Sequence, residues 1–363
     1  MTKTGGAGSE VVVIGLGNIG SCLASYLGRL HGIRKITVVD HDVYELPNLE
    51  SQDIAAREIG RSKAAVVARR LRAIDPELEV TPLARRVETV PRGLLRADVI
   101  LAALDSKAAR VSVNEIAWRL GVPFVDAGVE PAGGLARVAV YLPGPNAPCY
   151  ECALCDADYE NLEQVHWCTG EAAAAATNAP AYLGALAASL AAAECEKLLS
   201  GRLGESLAGR EVVVSARHQT HFVTRYRRNE RCRFDHRVWT IETLGARADR
   251  FSVEQLRALG NGSGDASVLQ LRVEGQRFHT RLRCSACGET YEVLQLSRWP
   301  IARSCRRCRG SLIPLGFYSY DRLDLAALPA STTRRSLRSV GLRDGDVFSL
   351  SSGEHERHFE LGD

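Results

Sequence analysis

The chain has 363 residues, which at roughly 100–200 residues per domain accommodates two or three domains and a sizeable core. Hydrophobic residues make up 45% and charged residues 25%, which excludes a disordered or collagen-like chain. The 46 basic residues against 43 acidic ones leave a net charge of +3, too even a balance to point to nucleic acid.

The first ten residues, MTKTGGAGSE, carry neither the apolar core nor the cleavage pattern of a signal peptide, so the expected location is cytoplasmic. A nearly continuous apolar run at 11–14 leads into GLGNIG at 15–20. An amphipathic segment at 21–30 follows, then a second apolar run at 36–39 that closes on Asp40. The order reads strand, glycine turn, helix, strand. Gly15 would permit the tight turn, Gly17 would let backbone approach a ligand, and Gly20 would let helix and strand pack closely. The helix N-terminus offers unpaired N–H groups and partial positive charge to an anion. Asp40, twenty residues after Gly20, is placed to accept hydrogen bonds from a ribose. The combination predicts nucleotide binding; without a ligand, the same turn would only pack a helix on a sheet.

Strand-like runs follow at 78–83, 99–104, 124–126, 136–142, 211–215 and 221–226, and helical patterns at 62–74 and 107–120 separate the earlier ones. Alternation of this kind predicts an α/β fold, a doubly wound parallel sheet with helices on both faces. The later, more closely spaced strands suggest an antiparallel extension. A ligand crevice belongs beyond the carboxyl ends of the strands, where Asp40 and Asp105 both fall. The weakly polar run at 179–193 is too short and too weakly apolar for a membrane span. Further on, 249–260 reads as a short helix, 260–267 as a loop, and 268–279 as strands alternating around Gly275. Near the end, Asp344–Gly345 reads as a turn between two strands.

Eleven cysteines in a chain without a leader point to reduced thiols, metal ligands or a nucleophile rather than to a disulfide scaffold. Cys284-x2-Cys287 and Cys305-x2-Cys308, seventeen residues apart, have the spacing of a zinc ribbon, in which each pair sits on a tight turn and four thiolates close a tetrahedron. Four thiolates leave no open position for water, so the site is expected to be structural. Such a site can supply about 10–16 kcal/mol of folding free energy to a small module. Arg281, Arg283, Arg306, Arg307 and Arg309 surround it and would screen thiolate charge. No aromatic residues interleave with them for base stacking, which argues against nucleic acid.

Four ordered segments, VVVIGLGNIGSCLASYL, VVDHDVYELPNLESQ, IGRSKA and AALDSKAARVSVN, resemble the ThiF/MoeB superfamily, which includes the ubiquitin-activating enzymes. The resemblance spans about 11–239 and implies a Rossmann-like ThiF-type adenylation fold. It further implies adenylation: MgATP is attacked by the C-terminal glycine carboxylate of a ubiquitin-fold protein, giving an acyl-adenylate and pyrophosphate. The reaction brings two anions together, so cationic groups and a metal must offset their repulsion. On the matching positions, Lys63 would contact phosphate, Asp105 would anchor Mg²⁺ and Asp40 would hold the ribose. Asp42, Asn48 and Gln52 would complete the nucleotide-binding set together with Gly15, Gly17 and Gly20. Arg110 matches an arginine that follows the Asp105 motif, with a supporting salt bridge as the alternative to catalysis. Two departures stand out. Ser51 replaces an arginine of the family, for which Arg57 or Arg61 could substitute. The ten residues before Val11 hold no helix bearing the arginine that reaches into a partner subunit, which makes a homodimer less secure.

The resemblance also bears on the remaining cysteines. Relatives pair a CxxC after the 136–142 strand with a second one after the last strand of the domain. Here the halves are Cys149-x2-Cys152 and Cys232-x3-His236, implying a second structural Zn²⁺, with Cys155 as an alternative fourth ligand and buried free thiols as the bland reading. Cys168, in VHWCTGEAAAAATNAP, falls where some relatives carry a cysteine that takes the acyl group as a thioester. His166 or a helix N-terminus would lower its pKa, and Cys155 is the alternative nucleophile. Cys22 and Cys195 read as core. These readings divide the chain into an adenylation domain at 1–240 and a C-terminal region at 241–363, with the zinc ribbon at about 280–312 and a tail resembling a small ubiquitin-like β domain. In ubiquitin-activating enzymes a domain of that fold recruits the conjugating enzyme; mere stabilisation is the alternative. The expectation is therefore activation of a ubiquitin-like protein, thioester formation on Cys168 and handover to a ubiquitin-conjugating-like enzyme, as in bacterial conjugation operons linked to antiviral defence. The alternatives are a sulfur-carrier adenylyltransferase for thiamine, molybdopterin or cysteine, an NAD-dependent oxidoreductase, and a non-catalytic scaffold. The oxidoreductase would leave Lys63, Asp105 and NLESQ unexplained, and the scaffold would make Ser51 the mark of a dead site.

Overall fold

A computed structural model describes residues 8–163, 179–260, 269–297, 304–353 and 355–362. It divides into two compact units, Met1–Val90 with Leu95–Val238, and Pro91–Leu94 with Trp239–Asp363.

The first unit runs β1 (Ser9–Ile14), α1 (Asn18–Leu27), β2 (Ile33–Val39), α2 (Lys63–Ile74), β3 (Glu79–Leu83), β4 (Val99–Ala102), α3 (Lys107–Leu120), β5 (Phe124–Glu130), β6 (Leu135–Tyr141), α4 (Asp156–Glu163), α5 (Ala181–Leu199), β7 (Arg210–Ser215) and β8 (Thr220–Arg225). Its sheet has the order β3-β2-β1-β4-β5-β6-β7-β8. The first five strands in that order pair parallel, and β5 to β8 pair antiparallel. The side-chain alternation of β1 explains the two layers. Val11 and Val13 enter one core with α1, α2 and α5, while Val12 and Ile14 enter the other with α3. Both faces of the central strands are thus covered, which is why they read as unbroken apolar runs.

The helix expected at 21–30 starts earlier, at Asn18, and ends at Leu27. The Ser21 N–H donates to the Gly17 carbonyl, so the helix winds directly out of the glycine turn.

The second unit runs β9 (Ile241–Thr243), α6 (Val253–Gly260), β10 (Gln270–Arg272), β11 (Phe278–Cys284), β12 (Thr290–Leu296), β13 (Leu312–Pro314), β14 (Ser319–Tyr320), β15 (Arg322–Asp324), α7 (Ala330–Thr333), α8 (Leu337–Val340), β16 (Val347–Ser352) and β17 (His355–Glu360). A five-stranded sheet, β15-β10-β16-β17-β9, surrounds Leu271, Phe348 and Phe359 with Leu256 and Leu337. A second sheet joins β12, β11 and β13, with β14 also on β11.

The turn at Asp344–Gly345 does not join two strands. Helix α8 precedes it, because Ser336 caps that helix and Leu337 and Val340 turn inward. Asp344 instead accepts a 2.7 Å hydrogen bond from the Ala248 N–H, and β16 follows. Among the described residues no helix is long and apolar enough to cross a membrane.

Candidate functional site

The site begins where β1 gives way to α1. Gly15 adopts φ +85°, and a Cβ on it would lie 2.4 Å from the Ala103 carbonyl oxygen. A Cβ on Gly20 would lie 1.8 Å from the Gly15 carbonyl oxygen. Gly17 differs: a Cβ there would meet nothing closer than the Gln52 side-chain amide, at 4.0 Å. Gly15 and Gly20 are therefore consumed by the turn's own packing, while the open side of the turn lies at Gly17 beside Gln52.

Asp40, at the end of β2, braces this turn. One carboxylate oxygen accepts from the Leu16 N–H at 2.7 Å and the other from the Asp42 N–H at 2.8 Å. Asn18, the first helical residue, donates to the carbonyls of Ser51 at 2.8 Å and Ala179 at 2.7 Å. It therefore fastens the 48–52 loop to the turn, a role hidden in the sequence because it occupies an unspecified position of GLGNIG. Asn18 Oδ1, Gln52 Oε1 and the Tyr44 hydroxyl are buried with no hydrogen-bond partner among the described residues. A buried acceptor without a donor is costly, so these atoms leave unused hydrogen-bonding capacity beside the turn. Asn48 uses its side-chain oxygen locally, accepting from the Glu45 N–H at 2.8 Å.

Lys63 opens α2, which Ser62 caps. A lysine at a helix start is usually exposed, but this one is 7% exposed. Its Nζ lies 3.0 Å from Asp42 and its own N–H donates to the Asp42 carbonyl at 3.0 Å. An ammonium has three donors, and this ion pair occupies one of them. Asp105 is exposed beyond β4. Ser106, not Asp105, caps α3, and the Asp105 carboxylate makes no hydrogen bond or ion pair with another described residue. An uncommitted carboxylate at a strand end suits Mg²⁺, which takes one or two carboxylates and completes its shell with phosphate and water. Arg57 and Arg61, considered as substitutes for the arginine missing at Ser51, are both exposed.

Arg110 takes up the salt-bridge alternative. Its guanidinium donates to the Leu104 carbonyl and pairs with Asp126 at 3.1 Å. Asp126 is fully buried on β5 and also holds Arg137 at 2.9 Å, which reaches Glu211 at 3.1 Å. Burial opposes the Arg137 charge, but Asp126 and Glu211 hold its pKa above the usual arginine value. Gly128 makes room: a Cβ there would lie 2.7 Å from Arg137 Nε and 3.1 Å from an Arg110 nitrogen. Arg110 thereby ties the turn before Asp105 to β5. Sequence reasoning missed Asp126, Arg137 and Glu211, since three strands must pair before these charges meet.

Besides the group formed by Asp40, His41 and Asp42, two cysteine clusters among the described residues could hold a metal ion. The first joins Cys149, Cys152, Cys232 and His236, with every potential ligand atom within 4.8 Å of the others. Cys149 Sγ lies 3.8 Å from both other sulfurs, close to the ~3.8 Å edge of a tetrahedron with zinc–sulfur arms of about 2.3 Å. The His236 Nδ1–H donates to the Phe234 carbonyl at 2.7 Å, which leaves Nε2, 3.2 Å from Cys152 Sγ, as the ligand atom. Hydrogen bonds from the Cys149 thiol and from the N–H groups of Asn229 and Cys149 pull the Cys152 thiol down to about 4 despite partial burial. The donor chemistry fits Zn²⁺. Cys155 stands outside this group, exposed, with its thiol donating to Asp158 at 3.2 Å.

The second cluster joins Cys284, Cys287, Cys305 and Cys308 at the ends of the β11–β12 hairpin and before β13. Sulfur separations are 3.4 Å for Cys284–Cys308 and 3.6 Å for Cys287–Cys305. The Tyr291 hydroxyl pulls the Cys305 thiol down to about 6. A Cβ on Gly310 would lie 3.0 Å from Cys284 Sγ, so the glycine keeps the cradle open. This donor set also fits Zn²⁺. Cys195 is buried on α5, where burial pushes its thiol up to about 12, and Cys22 is partly buried on α1. Cys168 and His166 lie outside the described residues.

The profile of the ThiF family matches residues 7–234. A SAMP-activating enzyme E1 of Haloferax volcanii is 30% identical over 227 residues, covering 62% of this chain and 79% of that protein. A sulfur carrier protein adenylyltransferase of Thermus thermophilus is 32% identical over 231 residues, 62% of this chain and 81% of that protein. A sulfur carrier protein ThiS adenylyltransferase of Escherichia coli is 33% identical over 147 residues, 40% of this chain and 57% of that protein. Among solved structures, Escherichia coli MccB with ATP shares the fold at a TM-score of 0.52 and 22% identity, over 62% of this chain and just under two thirds, 66%, of the MccB chain.

Proposed function

Because this chain belongs to the ThiF family, we propose that its first unit binds MgATP at the Gly15–Gly20 turn and adenylates the C-terminal glycine carboxylate of a ubiquitin-fold carrier protein. The observation that carries the reading is the open side of the turn at Gly17 beside the unpartnered Gln52 Oε1, with a buried lysine that has donors to spare joined to the turn through Asp42 and Asp40. A helix N-terminus and a lysine suit a triphosphate, and a nicotinamide cofactor would leave Lys63 without a task.

In this reading a carboxylate oxygen of the carrier attacks the α-phosphorus, the bond to the bridging α–β oxygen breaks, and pyrophosphate departs with that oxygen. The backbone beyond Gly17 and the start of α1 face the phosphates. Asp42 positions Lys63, which donates to phosphate oxygens. Asp40 keeps lone pairs for the ribose after bracing the turn. Gln52 borders the opening, and Asn48 of the same loop would contact the nucleotide there. Asp105 would hold Mg²⁺, which supplies charge to offset the leaving pyrophosphate. Arg110 acts by fixing the turn that carries Asp105 rather than by touching the substrate. The two cysteine clusters would hold structural Zn²⁺.

The acyl group would then pass to the Cys168 thiol, with AMP leaving and the thiol losing its proton, and from there to a conjugating enzyme. A second reading stops at the adenylate on a sulfur carrier, and the names of the Thermus thermophilus and Escherichia coli relatives favour it. A Cys168→Ser protein that traps a reductant-stable carrier oxyester supports the first reading; adenylate with no trapped ester supports the second.

The common step is tested by calorimetric titration of MgATP and of NAD⁺ into the protein. MgATP should bind, and Lys63→Ala should weaken it at least about tenfold, as expected for a lost charge-assisted hydrogen bond, with circular dichroism showing that the variant is folded. A ubiquitin-fold protein ending in glycine should then support exchange of labelled pyrophosphate into ATP, lost in Asp105→Ala. Binding of NAD⁺ in place of ATP, or carrier-dependent exchange that survives both substitutions, overturns the assignment.

A further inference from the structure

At the far end of the same sheet from β3, a groove of about 460 Å³ opens beside β8. That volume lies in the range of specific ligand sites. Leu142, Ala147 and Pro148 give it apolar walls, and Arg225, Arg227 and Arg228 line it with positive charge. None of these three guanidiniums makes a hydrogen bond or ion pair with another described residue, and Arg228 Nη1 is buried with no partner. A buried guanidinium nitrogen without an acceptor is costly, so Arg228 has unused donor capacity to offer an anionic group.

Among the described residues, strand β8 pairs only with β7. The sheet order ends on it, so its outer edge presents unpaired N–H and C=O groups. All six of its residues are exposed, including Phe222 at 64% and Val223 at 52%. Native edges are usually short, charged on the exposed face or covered, and an edge with two large apolar side chains is suited to strand addition.

Charge decides what can add there. From Val212 to Asn229 there is no acidic residue, whereas Arg217, Arg225, Arg227 and Arg228 fall in that stretch with His218 and His221. Antiparallel pairing of two copies of β8 about Phe222 and Val223 would set Arg217 against Arg228 and His218 against Arg227. Like charges directly opposite one another destabilise a ladder, so a second copy is disfavoured. A nucleic-acid backbone could meet the arginines but has no N–H donors for the carbonyls of an open strand edge.

We propose that this groove and the β8 edge bind an extended acidic segment of a partner protein, which pairs with β8 as a further strand and sets its carboxylates against Arg225, Arg227 and Arg228. The inference does not depend on the adenylation reading, since no residue in it belongs to the ATP site.

The test is fluorescence anisotropy with the full chain and a labelled eight-residue peptide of alternating valine and glutamate. Its valine–lysine counterpart and an oligouridylate serve as competitors. Saturable binding of the acidic peptide is expected, weakening steeply with salt and by at least about tenfold in the combined Arg225→Gln, Arg227→Gln, Arg228→Gln protein. Phe222→Ser should also weaken it, and an unchanged circular dichroism spectrum and melting temperature serve as the control for intact folding in both variants. No binding of the acidic peptide, equal binding of the lysine peptide, affinity unchanged by the arginine substitutions, or stronger binding of the oligouridylate each overturn the proposal. A dimer in sedimentation that Phe222→Ser disperses would give the face to a second copy and overturn it as well.

Discussion

Replacing Gly20 with alanine would drive a methyl group to 1.8 Å from a backbone carbonyl oxygen, which the turn cannot accommodate without moving. Overpacking of this kind typically costs about 1–3 kcal/mol or more, so Gly20→Ala should lower the urea midpoint of unfolding. Gly17→Ala has room, and although its ψ of −141° lies outside the main regions of an L-residue, it should lose less stability than Gly20→Ala while losing ATP affinity in calorimetry. Equal loss of stability in the two variants would mean that the open side has been misassigned. A similar distinction applies to charge. Asp126 is fully buried and offsets two arginines at once, whereas Asp105 is exposed and offsets none. Removing one member of a buried ion pair strands its partners, at a cost of about 3–5 kcal/mol, while removing an exposed, unpaired carboxylate costs little. Asp126→Ala should therefore destabilise the fold strongly, and Asp105→Ala should leave the unfolding free energy within about 0.5 kcal/mol of the parent while abolishing exchange. A reversed order in urea titrations would sink the assignment of roles.

At the scale of elements, each cysteine cluster is a short-range device closed by a long-range partner. Cys149 and Cys152 lie on one turn, but their partners arrive about eighty residues later, after β8. Cys284 and Cys287 sit at a hairpin, and their partners precede β13. Metal analysis should find two zinc ions per chain, with Cys149→Ser and Cys305→Ser each losing one and only one. A single ion in the parent protein would refute one cluster. The same contrast explains what could be read beforehand. The strand–turn–helix–strand at the start and the parallel order of the first strands follow from local apolar periodicity and glycine spacing, so they were legible. The ion pairs of Arg110 were not, because Asp126 and Arg137 face each other only after β5 and β6 have paired in one register. The turn at Asp344–Gly345 was misread for a related reason. Its residues satisfy a hairpin rule locally, but Ser336 capping a short helix and the Asp344 bond to Ala248 override that preference. Asn18 carried no signal beyond its place at the helix start, and its value lies in carbonyls 33 and 161 residues away.

Across the whole molecule, stability is divided. Among the described residues, two hydrophobic clusters belong to the first unit, and two others, one around Phe348 and one around Cys284 and Leu282, belong to the second. Each metal cluster likewise lies within one unit. A chain of this kind need not unfold in a single step, since cooperativity follows the core rather than the covalent chain. Metal binding adds to the folding free energy of whichever unit supplies the ligands, because the unfolded ligands do not hold the ion in that geometry. Loss of the Cys284–Cys308 cluster should therefore weaken the second unit and leave the ATP site of the first unaffected. Calorimetry of the full chain should show two transitions, and the combined Cys305→Ser, Cys308→Ser protein should lower one of them while the other holds. Titration of MgATP into that variant should return the parent's affinity within about twofold, a difference of roughly 0.4 kcal/mol. Coupled loss of nucleotide binding would show that the second unit's metal supports the first unit's site, and the independence argued from separate cores would fall.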